Sequence, residues 1–264
     1  DLVLARKGID VFEETFKLLF AKLYDEFAAR NIRKDNAVEF RVKLGESDDE
    51  LLDRVSHLFI SATEKWQGVF ASNEKEIKLN GASLKSAVSH LENLVLFESD
   101  LRIIDEAFEY LISKVSKGEK GQYFTPRHVI DMCVKMLNPT VGEYVLDPAS
   151  GSGGFLVHTM FHTWENIKNE KDKIKYSGEY IYGIDFDEKA QKVSKAIMLI
   201  AGDGSSNVFR LNSLEPWTWK GETGYDALRK FLLPIKDYEQ NKENQNALKY
   251  LKFDLILTNP PFAG

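Results

Sequence analysis

The sequence predicts a chain of two parts, an all-helical region followed by an α/β region built on a mostly parallel sheet. Over residues 1–117, apolar residues recur at spacings of three and four, and no strand pattern appears. From residue 118 onward, short apolar runs alternate with amphipathic helical segments, which is the βαβα order of a doubly wound fold. We therefore predict two domains, 1–117 and 118–264.

Four helices are predicted in the first part. Apolar periodicity places them over 9–29, 48–66, 83–97 and 100–115. Ser47 and Glu50 have the spacing of a capping box, which fixes the start of the second helix. Each helix has an apolar face that needs a partner, so the four helices are expected to pack into one all-α domain.

Helices and strands alternate in the second part. Thr125 is expected to be an N-cap with Pro126 at the first helical position. The segments that follow are predicted as strand 144–147, helix 155–167, strand 180–185, helix 187–201, strand 207–211 and strand 253–258. Between 214 and 252 the pattern is weak, with a short helix at 226–233, and no role follows from these residues.

The composition excludes several classes of protein. A net charge of −6 argues against a chain that binds nucleic acid over its whole surface. It still allows a local basic patch, or a partner that makes the contacts with nucleic acid. No apolar run is long enough to cross a membrane and no secretory signal is present, so we expect a cytoplasmic protein without membrane contact. The five histidines show no credible ligand spacing, and no metal site is predicted.

The turn after the strand at 144–147 predicts a ligand site. Asp147 ends this strand, and Gly151, Gly153 and Gly154 precede an amphipathic helix. Glycine allows positive φ and close approach of backbone to a ligand, and the following helix presents free N–H groups. The spacing is not G-x-G-x-x-G, which argues against a dinucleotide as the ligand.

A second acid, Asp185, ends the strand at 180–185. At the carboxyl end of a strand in a doubly wound fold, such an acid can accept hydrogen bonds from both ribose hydroxyls of a nucleoside-like ligand. Taken alone, Asp185 fits a helix cap equally well, but Asp187 is the better candidate for that cap. Together with the turn after Asp147, we interpret Asp185 as a ligand contact.

The run from Asn259 to Phe262 predicts the chemistry most sharply. An apolar strand ends in Asn259, Pro260, Pro261 and Phe262, and the two prolines make the backbone rigid and remove two donors. The Asn259 side-chain oxygen and a neighbouring carbonyl can together accept both hydrogens of an exocyclic amino group. Phe262 offers a flat face on which a planar ring can stack.

Three motifs in this order resemble one enzyme family. They are Asp147-Pro-Ala-Ser-Gly-Ser-Gly-Gly-Phe155, Asn259-Pro-Pro-Phe262 and Gly121-Gln-Tyr-Phe-Thr-Pro-Arg127. Together they resemble S-adenosylmethionine-dependent N6-adenine DNA methyltransferases, and more narrowly the modification subunit of type I restriction-modification systems with its amino-terminal helical domain. The resemblance implies a Rossmann-like methyltransferase domain, truncated here on its C-terminal side, and S-adenosylmethionine as the cofactor.

The resemblance also implies roles for individual residues. Thr125 would lie near the carboxylate of the cofactor, Asp185 would hold its ribose, and Asn212 stands where the family often has an acid near the adenine ring. Asn259, Pro260, Pro261 and Phe262 would receive the target adenine. The remaining cofactor contacts would come from Gln122, Tyr123, Phe124, Pro126, Arg127, Asp147, Ser150, Gly151, Ser152, Gly153 and Gly154.

The implied reaction is methyl transfer to the N6 amino group of a flipped adenine in double-stranded DNA. No target-recognition domain is evident, which fits a family that delegates sequence reading to a separate specificity subunit. The resemblance implies that subunit, a restriction subunit and a second copy of the modification subunit as partners. The chain lacks an initiator Met and stops just after the Asn259 strand. We therefore expect a longer natural protein, and poor methylation by this fragment alone.

Three alternatives remain open. The same signature would appear in a fused restriction-methylation polypeptide. Asn-Pro-Pro-aromatic turns also occur in enzymes that resemble glutamine and RNA guanine methyltransferases, although the Gly121 to Arg127 stretch and the helical domain favour DNA adenine. A third alternative is a non-enzymatic module that binds DNA or partner subunits.

Overall fold

The computed structural model describes residues 10–96, 125–201, 207–234 and 249–261. The chain divides into two compact units, Asp1–Gly118 and Glu119–Gly264. The helix predicted at 100–115 lies outside the described residues. None of the helices within these ranges combines the length and apolar composition needed to cross a lipid bilayer.

The described part of the first unit is helical. It contains α1 (Val11–Asn31), α2 (Asp48–Lys65), a 3-10 turn (Ser72–Glu74) and α3 (Gly81–Leu91). The capping box predicted for α2 is confirmed, because the Glu50 N–H bonds to Ser47 Oγ at 3.3 Å and the Ser47 N–H bonds to Glu50 Oε2 at 2.8 Å. Asp10 caps α1 in the same way, accepting from the Phe12 N–H at 2.9 Å.

Helix α1 differs from the one-sided helix that its apolar stripe predicts. It is buried over most of its circumference, and several of its charged side chains are inaccessible to solvent. These charges are compensated locally. Lys17 lies 2.7 Å from Glu14, and Asp25 accepts from the Phe40 N–H at 2.7 Å. Buried charges persist only when they are paired or hydrogen-bonded, and an apolar pattern alone does not reveal that pairing.

A parallel sheet forms the centre of the second unit. Its strands are β1 (Val145–Asp147), β2 (Ile181–Asp185), β3 (Val208–Arg210) and a later strand, Leu255–Ile256, which we call β6. The order across the sheet is β3-β2-β1-β6, and every neighbouring pair is parallel. The predicted α/β fold with a parallel sheet is thus confirmed, although the strands are shorter than their apolar runs.

Four helices connect or flank these strands. They are α4 (Arg127–Leu137), α5 (Gly154–Trp164), α6 (Glu170–Tyr180) and α7 (Glu188–Ala201). Helix α6 was not predicted, because its sequence is polar and carries little amphipathic signal. Asp187 caps α7, as predicted, by accepting from the Ala190 N–H at 2.8 Å.

The two faces of the sheet are covered by different parts of the chain. On one face, Val145 and Leu257 pack with Ile130, Val134 and Phe155 of α4 and α5. On the other face, the sheet residues Leu146, Tyr182 and Ile184 pack against residues of the stretch that begins after β3. The described residues of the stretch from 214 to 252, whose role the sequence left open, therefore supply the second covering layer.

That stretch has its own secondary structure in the described residues. It holds a 3-10 turn (Pro216–Thr218), α8 (Tyr225–Leu228), a second 3-10 turn (Arg229–Phe231) and an antiparallel pair, β4 (Leu232–Pro234) with β5 (Lys249–Leu251). Trp219, Leu228 and Phe231 are its buried contributions to the core.

Candidate functional site

The candidate site lies at the carboxyl edge of the parallel sheet. Asp147 ends β1 and Asp185 ends β2, and Asn259 follows β6 by three residues. Because β1 pairs with both β2 and β6 in parallel, these three residues are brought to the same edge. The strand order also reverses between β1 and β6, which is the position where doubly wound sheets bind ligands.

Three hydrogen bonds donated by backbone N–H groups shape the turn after β1. The Ser150 N–H donates to the Ile184 carbonyl at 2.9 Å, and the Gly151 N–H donates to Asp185 Oδ2 at 2.8 Å. The Gly153 N–H then closes the turn onto the Ser150 carbonyl at 2.7 Å. The turn after one strand is thus held by the end of the next strand, and Asp185 is part of the framework that shapes it.

Two glycines of this turn have positive φ, for different reasons. Gly151 has φ of 53°, and a Cβ added there would meet no atom within 4 Å. Gly153 has φ of 93°, and its Cβ would lie 2.7 Å from Ser194 Oγ of α7. Gly151 therefore borders open space, whereas Gly153 lets the turn pack closely on a helix.

Burial dominates the electrostatics of Asp147. This carboxyl group is 2% exposed, and burial raises its pKa to about 7. The Thr258 hydroxyl and the Ala149 N–H, the latter at 3.1 Å from Oδ1, lower the pKa, and the Asp185 carboxylate raises it further. The Thr258 hydroxyl has no hydrogen-bond partner in the described structure, so it acts on Asp147 by proximity.

Asp185 is partly buried, and burial also raises its pKa. The N–H groups of Gly151, Asp187 and Phe186 oppose that shift, and the Asp187 carboxylate adds to it. One oxygen of Asp185 accepts from Gly151 and the other from Asp187, each at 2.8 Å. Each carboxylate oxygen has two acceptor positions, so both oxygens can still accept one further hydrogen bond from a ligand.

Thr125 is bound to Asn259 and does not cap a helix. Helix α4 begins at Arg127, one residue later than predicted, because Pro126 has the extended ψ of 136° and takes the N-cap position itself. No side chain caps α4 in the described structure. The Thr125 hydroxyl instead accepts a hydrogen bond from Asn259 Nδ2 at 3.0 Å. The prediction of a Thr125 cap was wrong.

The same segment also reaches the glycine turn. The ideal Cβ position of Gly154 lies 2.8 Å from Ile130 Cδ1 and 3.2 Å from Arg127 Nη1. A side chain at Gly154 would therefore require the Ile130 side chain to shift. Two of the three sequence motifs meet through this contact, and the Thr125 bond to Asn259 brings in the third.

The other predicted site residues differ in their surroundings. Ser150 and Ser152 are buried, while Pro260 and Pro261 are exposed. Asn212 is occupied locally, since its Nδ2 donates to Glu215 at 3.0 Å and its Oδ1 accepts from the Leu214 N–H at 3.1 Å. Gln122, Tyr123, Phe124 and Phe262 lie outside the described residues, so their predicted roles stay predictions.

Phe186 is a candidate site residue that the sequence analysis did not single out. It follows Asp185 directly and is 71% exposed, although the neighbouring Asp185 carboxylate is partly buried. An exposed aromatic ring at a ligand-binding edge offers a stacking surface. The signal was present in the sequence, since an aromatic residue directly after a strand-terminal acid would project from that edge.

Comparison with known proteins identifies the family. The sequence model of the N-6 DNA Methylase family matches residues 99–264, well over half of the chain. The chain belongs to the N-6 DNA methylase family. The resemblance to type I modification subunits is confirmed by a similar protein from Escherichia coli, the methylase subunit of the type I restriction enzyme EcoEI, which is 24% identical over 188 residues.

Another similar protein combines two activities in its name. It is the type II restriction enzyme and methyltransferase RM.BcgI of Heyndrickxia coagulans, 31% identical over 94 residues that make up 36% of this chain and 15% of RM.BcgI. In fold, the chain resembles a modification subunit assigned to a type I restriction enzyme of Vibrio vulnificus. The TM-score is 0.59 at 19% identity, over 100% of this chain and 59% of the Vibrio chain.

The chain spans about one third of the length of the E. coli subunit. The match to the E. coli subunit covers 70% of this chain and 33% of that subunit.

Proposed function

We propose that this chain carries the cofactor site and the catalytic Asn-Pro-Pro turn of a site-specific N6-adenine DNA methyltransferase, the modification component of a type I restriction-modification system. The observation that supports this most is the meeting of three motifs at one sheet edge. The Thr125 hydroxyl bonds Asn259 at 3.0 Å, Arg127 lies against Gly154, and Asp185 holds the turn through Gly151 at 2.8 Å.

The residues at this edge fit S-adenosylmethionine. Asp147 and Asp185 place two carboxyl groups beside a turn that borders open space at Gly151. S-adenosylmethionine carries a sulfonium and an ammonium group, and acids complement those charges. We infer that Asp147 and the turn hold the amino acid end of the cofactor, that Asp185 accepts from its ribose, and that Phe186 stacks on its adenine ring.

The chain's own residues prepare the acceptor nitrogen. S-adenosylmethionine supplies an electrophilic methyl group when bound. The amino nitrogen of adenine is a poor nucleophile, because its lone pair is delocalised into the ring. Asn259 Oδ1 and the Pro260 carbonyl would each accept a hydrogen bond from this amino group. The two bonds favour a pyramidal nitrogen and fix the direction of its lone pair. We infer that Phe262 stacks on the base, which offsets part of the cost of taking it out of the duplex, about a few kcal/mol.

A fused polypeptide is the first alternative. The similarity to RM.BcgI, whose name joins restriction and methylation, favours it. A same-fold methyltransferase acting on RNA or on protein glutamine would use the same Asn-Pro-Pro turn. In a non-enzymatic module the turn would only bind partners or DNA. We prefer the type I assignment because the E. coli relative, whose match covers 70% of this chain against 36% for RM.BcgI, is a type I methylase subunit.

We also propose a division of the chain into two domains and a set of partner subunits. We propose a helical domain over 1–117 and a Rossmann-like methyltransferase domain from 118 onward. Double-stranded DNA is the proposed substrate. The net charge of −6 favours partners that supply much of the DNA contact. We therefore propose a specificity subunit, a restriction subunit and a second copy of the modification subunit as partners.

Calorimetric titration of S-adenosylmethionine into the chain tests the cofactor site. We expect saturable binding that Asp185→Ala weakens at least about tenfold, since a charged hydrogen-bonding group is lost. Asp226→Ala is the matched control, because it removes an equally charged but 89% exposed side chain away from the site. Binding that is unaffected by Asp185→Ala would argue against this cofactor site. Methylation of duplex DNA by the complete enzyme, measured with labelled methyl groups, then tests the reaction.

A further inference from the structure

The bond between Thr125 and Asn259 links two sequence motifs that are 134 residues apart. Both side chains are partly buried, and both belong to the unit Glu119–Gly264. Asn259 Nδ2 is the donor and Thr125 Oγ1 is the acceptor. Within the described residues, Asn259 Oδ1 receives no hydrogen bond and the Thr125 hydroxyl donates none, so each side chain keeps one hydrogen-bonding function for a ligand.

The direction of this bond decides what Asn259 can do. A primary amide is nearly symmetric in shape, so a half-turn exchanges its oxygen and its nitrogen. With Nδ2 toward Thr125, the amide can present its oxygen as an acceptor. The opposite orientation would present an NH2 group, and an amino group on a substrate could not donate to it.

A hydroxyl group alone favours neither orientation of the amide, because it can both donate and accept a hydrogen bond. The choice is made once an acceptor-only group takes the hydroxyl hydrogen. A carboxylate is such a group, and the family resemblance implies that the carboxylate of the cofactor lies near Thr125. The Thr125 oxygen can then only accept, so Asn259 must turn its nitrogen toward Thr125.

We propose that Thr125 is a positioning residue that fixes the direction of the Asn259 amide. The hydroxyl donates to the cofactor carboxylate and accepts from Asn259 Nδ2, and this leaves Asn259 Oδ1 to accept from the target amino group. The inference rests on the proposed function and adds a coupling to it. Binding of the cofactor sets the hydrogen-bond polarity of the acceptor site before the base arrives.

Thr125→Val and Thr125→Ser form the matched pair of variants. Valine keeps the branched shape and loses the hydroxyl, while serine keeps the hydroxyl. In the complete enzyme at saturating S-adenosylmethionine, Thr125→Val should lower single-turnover methylation about 10- to 100-fold, the range expected when a reacting group loses its alignment. Thr125→Ser should stay within about threefold of the wild type. A Thr125→Val enzyme with the full rate at saturating cofactor would overturn the proposal, even if its cofactor affinity is reduced.

Adding Thr125→Val to an Asn259→Asp enzyme distinguishes a loss of amide orientation from a general loss of activity. Asn259→Asp presents an oxygen in either orientation, so its own lower rate should hardly change when Thr125→Val is added. An equal loss in both backgrounds would mean that Thr125 acts independently of the amide, and the proposal would be wrong.

A readout without activity distinguishes failure of this inference from failure of the proposed function. In the ¹⁵N-labelled chain, the Asn259 side-chain amide can be assigned by its disappearance in Asn259→Asp. S-adenosylmethionine should slow hydrogen exchange of this amide in the wild type and in Thr125→Ser, but not in Thr125→Val. If the wild-type enzyme methylates no DNA, the proposed function fails while this measurement still decides the positioning role. If S-adenosylmethionine slows the exchange of this amide in Thr125→Val as much as in the wild type, the positioning role fails.

Discussion

At the scale of single residues, burial gives Asp147 an unusual charge state. Its pKa is raised from 3.8 to about 7, so the folded protein binds a proton that the unfolded chain releases between these values. Stability therefore falls as the pH rises from about 4 to 7 and is level above the folded pKa. A carboxyl group that weakens the fold at neutral pH is typical of a site that serves function.

Asp147→Asn should remove this pH-dependent cost. At pH 8 the variant should be more stable than the wild type by up to about 4 kcal/mol, and the two proteins should approach each other near pH 4. Urea denaturation at pH 4, 6 and 8 measures the difference. A variant that is less stable than the wild type at pH 8 would contradict the raised pKa. Binding of S-adenosylmethionine should weaken in the variant, because a negative charge near the proposed cationic ligand is lost.

The two glycines with positive φ, Gly151 and Gly153, predict separable effects. Gly153→Ala should lower the free energy of unfolding by about 2–4 kcal/mol, because positive φ and the contact with Ser194 both oppose a Cβ. Gly151→Ala is the control, since it shares positive φ but borders open space, and should cost only about 1–2 kcal/mol. Its methyl group points into that space, so cofactor affinity should fall more than stability. Thermal denaturation and calorimetry of both variants check the order, and equal destabilisation would refute the packing argument.

At the scale of elements, the stretch after β3 is a covering layer of the sheet. Trp219 is 1% exposed, and its indole N–H donates to the Asn212 carbonyl at 2.8 Å. This hydrogen bond joins the layer to the loop that follows β3. Strand β3 lies beside β2, which ends at Asp185. Packing in this layer therefore supports the edge on which the proposed ligand contacts depend.

Trp219→Ala should destabilise the second unit by about 3–5 kcal/mol, the usual cost of emptying a large buried site. Trp217→Ala, two residues away and only half-buried, should cost about 1 kcal/mol or less. Chemical denaturation followed by fluorescence measures both. Similar losses for the two tryptophans would show that the layer does not pack as described.

At the scale of the whole molecule, the described candidate site residues belong to the second unit. A ligand that binds only the folded site stabilises the segments around it by mass action. We therefore expect cofactor binding to protect the second unit selectively. The first unit contributes no described residue to the candidate site.

Hydrogen exchange with mass spectrometry tests this expectation. With S-adenosylmethionine at about 100 times its dissociation constant, exchange should slow by up to about 100-fold in peptides covering 147–154 and 183–187. Peptides from α1 and α2 serve as the internal control and should change little. Equal protection of α1 would mean that the ligand also depends on the first unit.

Much of this protein follows from its sequence alone. Apolar periodicity identified the helices α1, α2 and α7, and the short apolar runs identified β1 and β2, because burial of one face requires those repeats. The capping box at Ser47 and the Asp187 cap were also predictable, since each involves residues three apart in the chain. The family was recognisable because its motifs are short and contiguous.

Tertiary structure decided what joins distant parts of the chain. The role of the stretch from 214 to 252, the bond of the buried Asp25 with the Phe40 N–H and the bond from Asn259 to Thr125 all depend on residues outside the local sequence. Local propensity even favoured the wrong role for Thr125, because a threonine before a proline reads as a helix cap. A pattern along the chain reports which face is buried, whereas hydrogen-bond partners and pKa values depend on which groups the fold brings together.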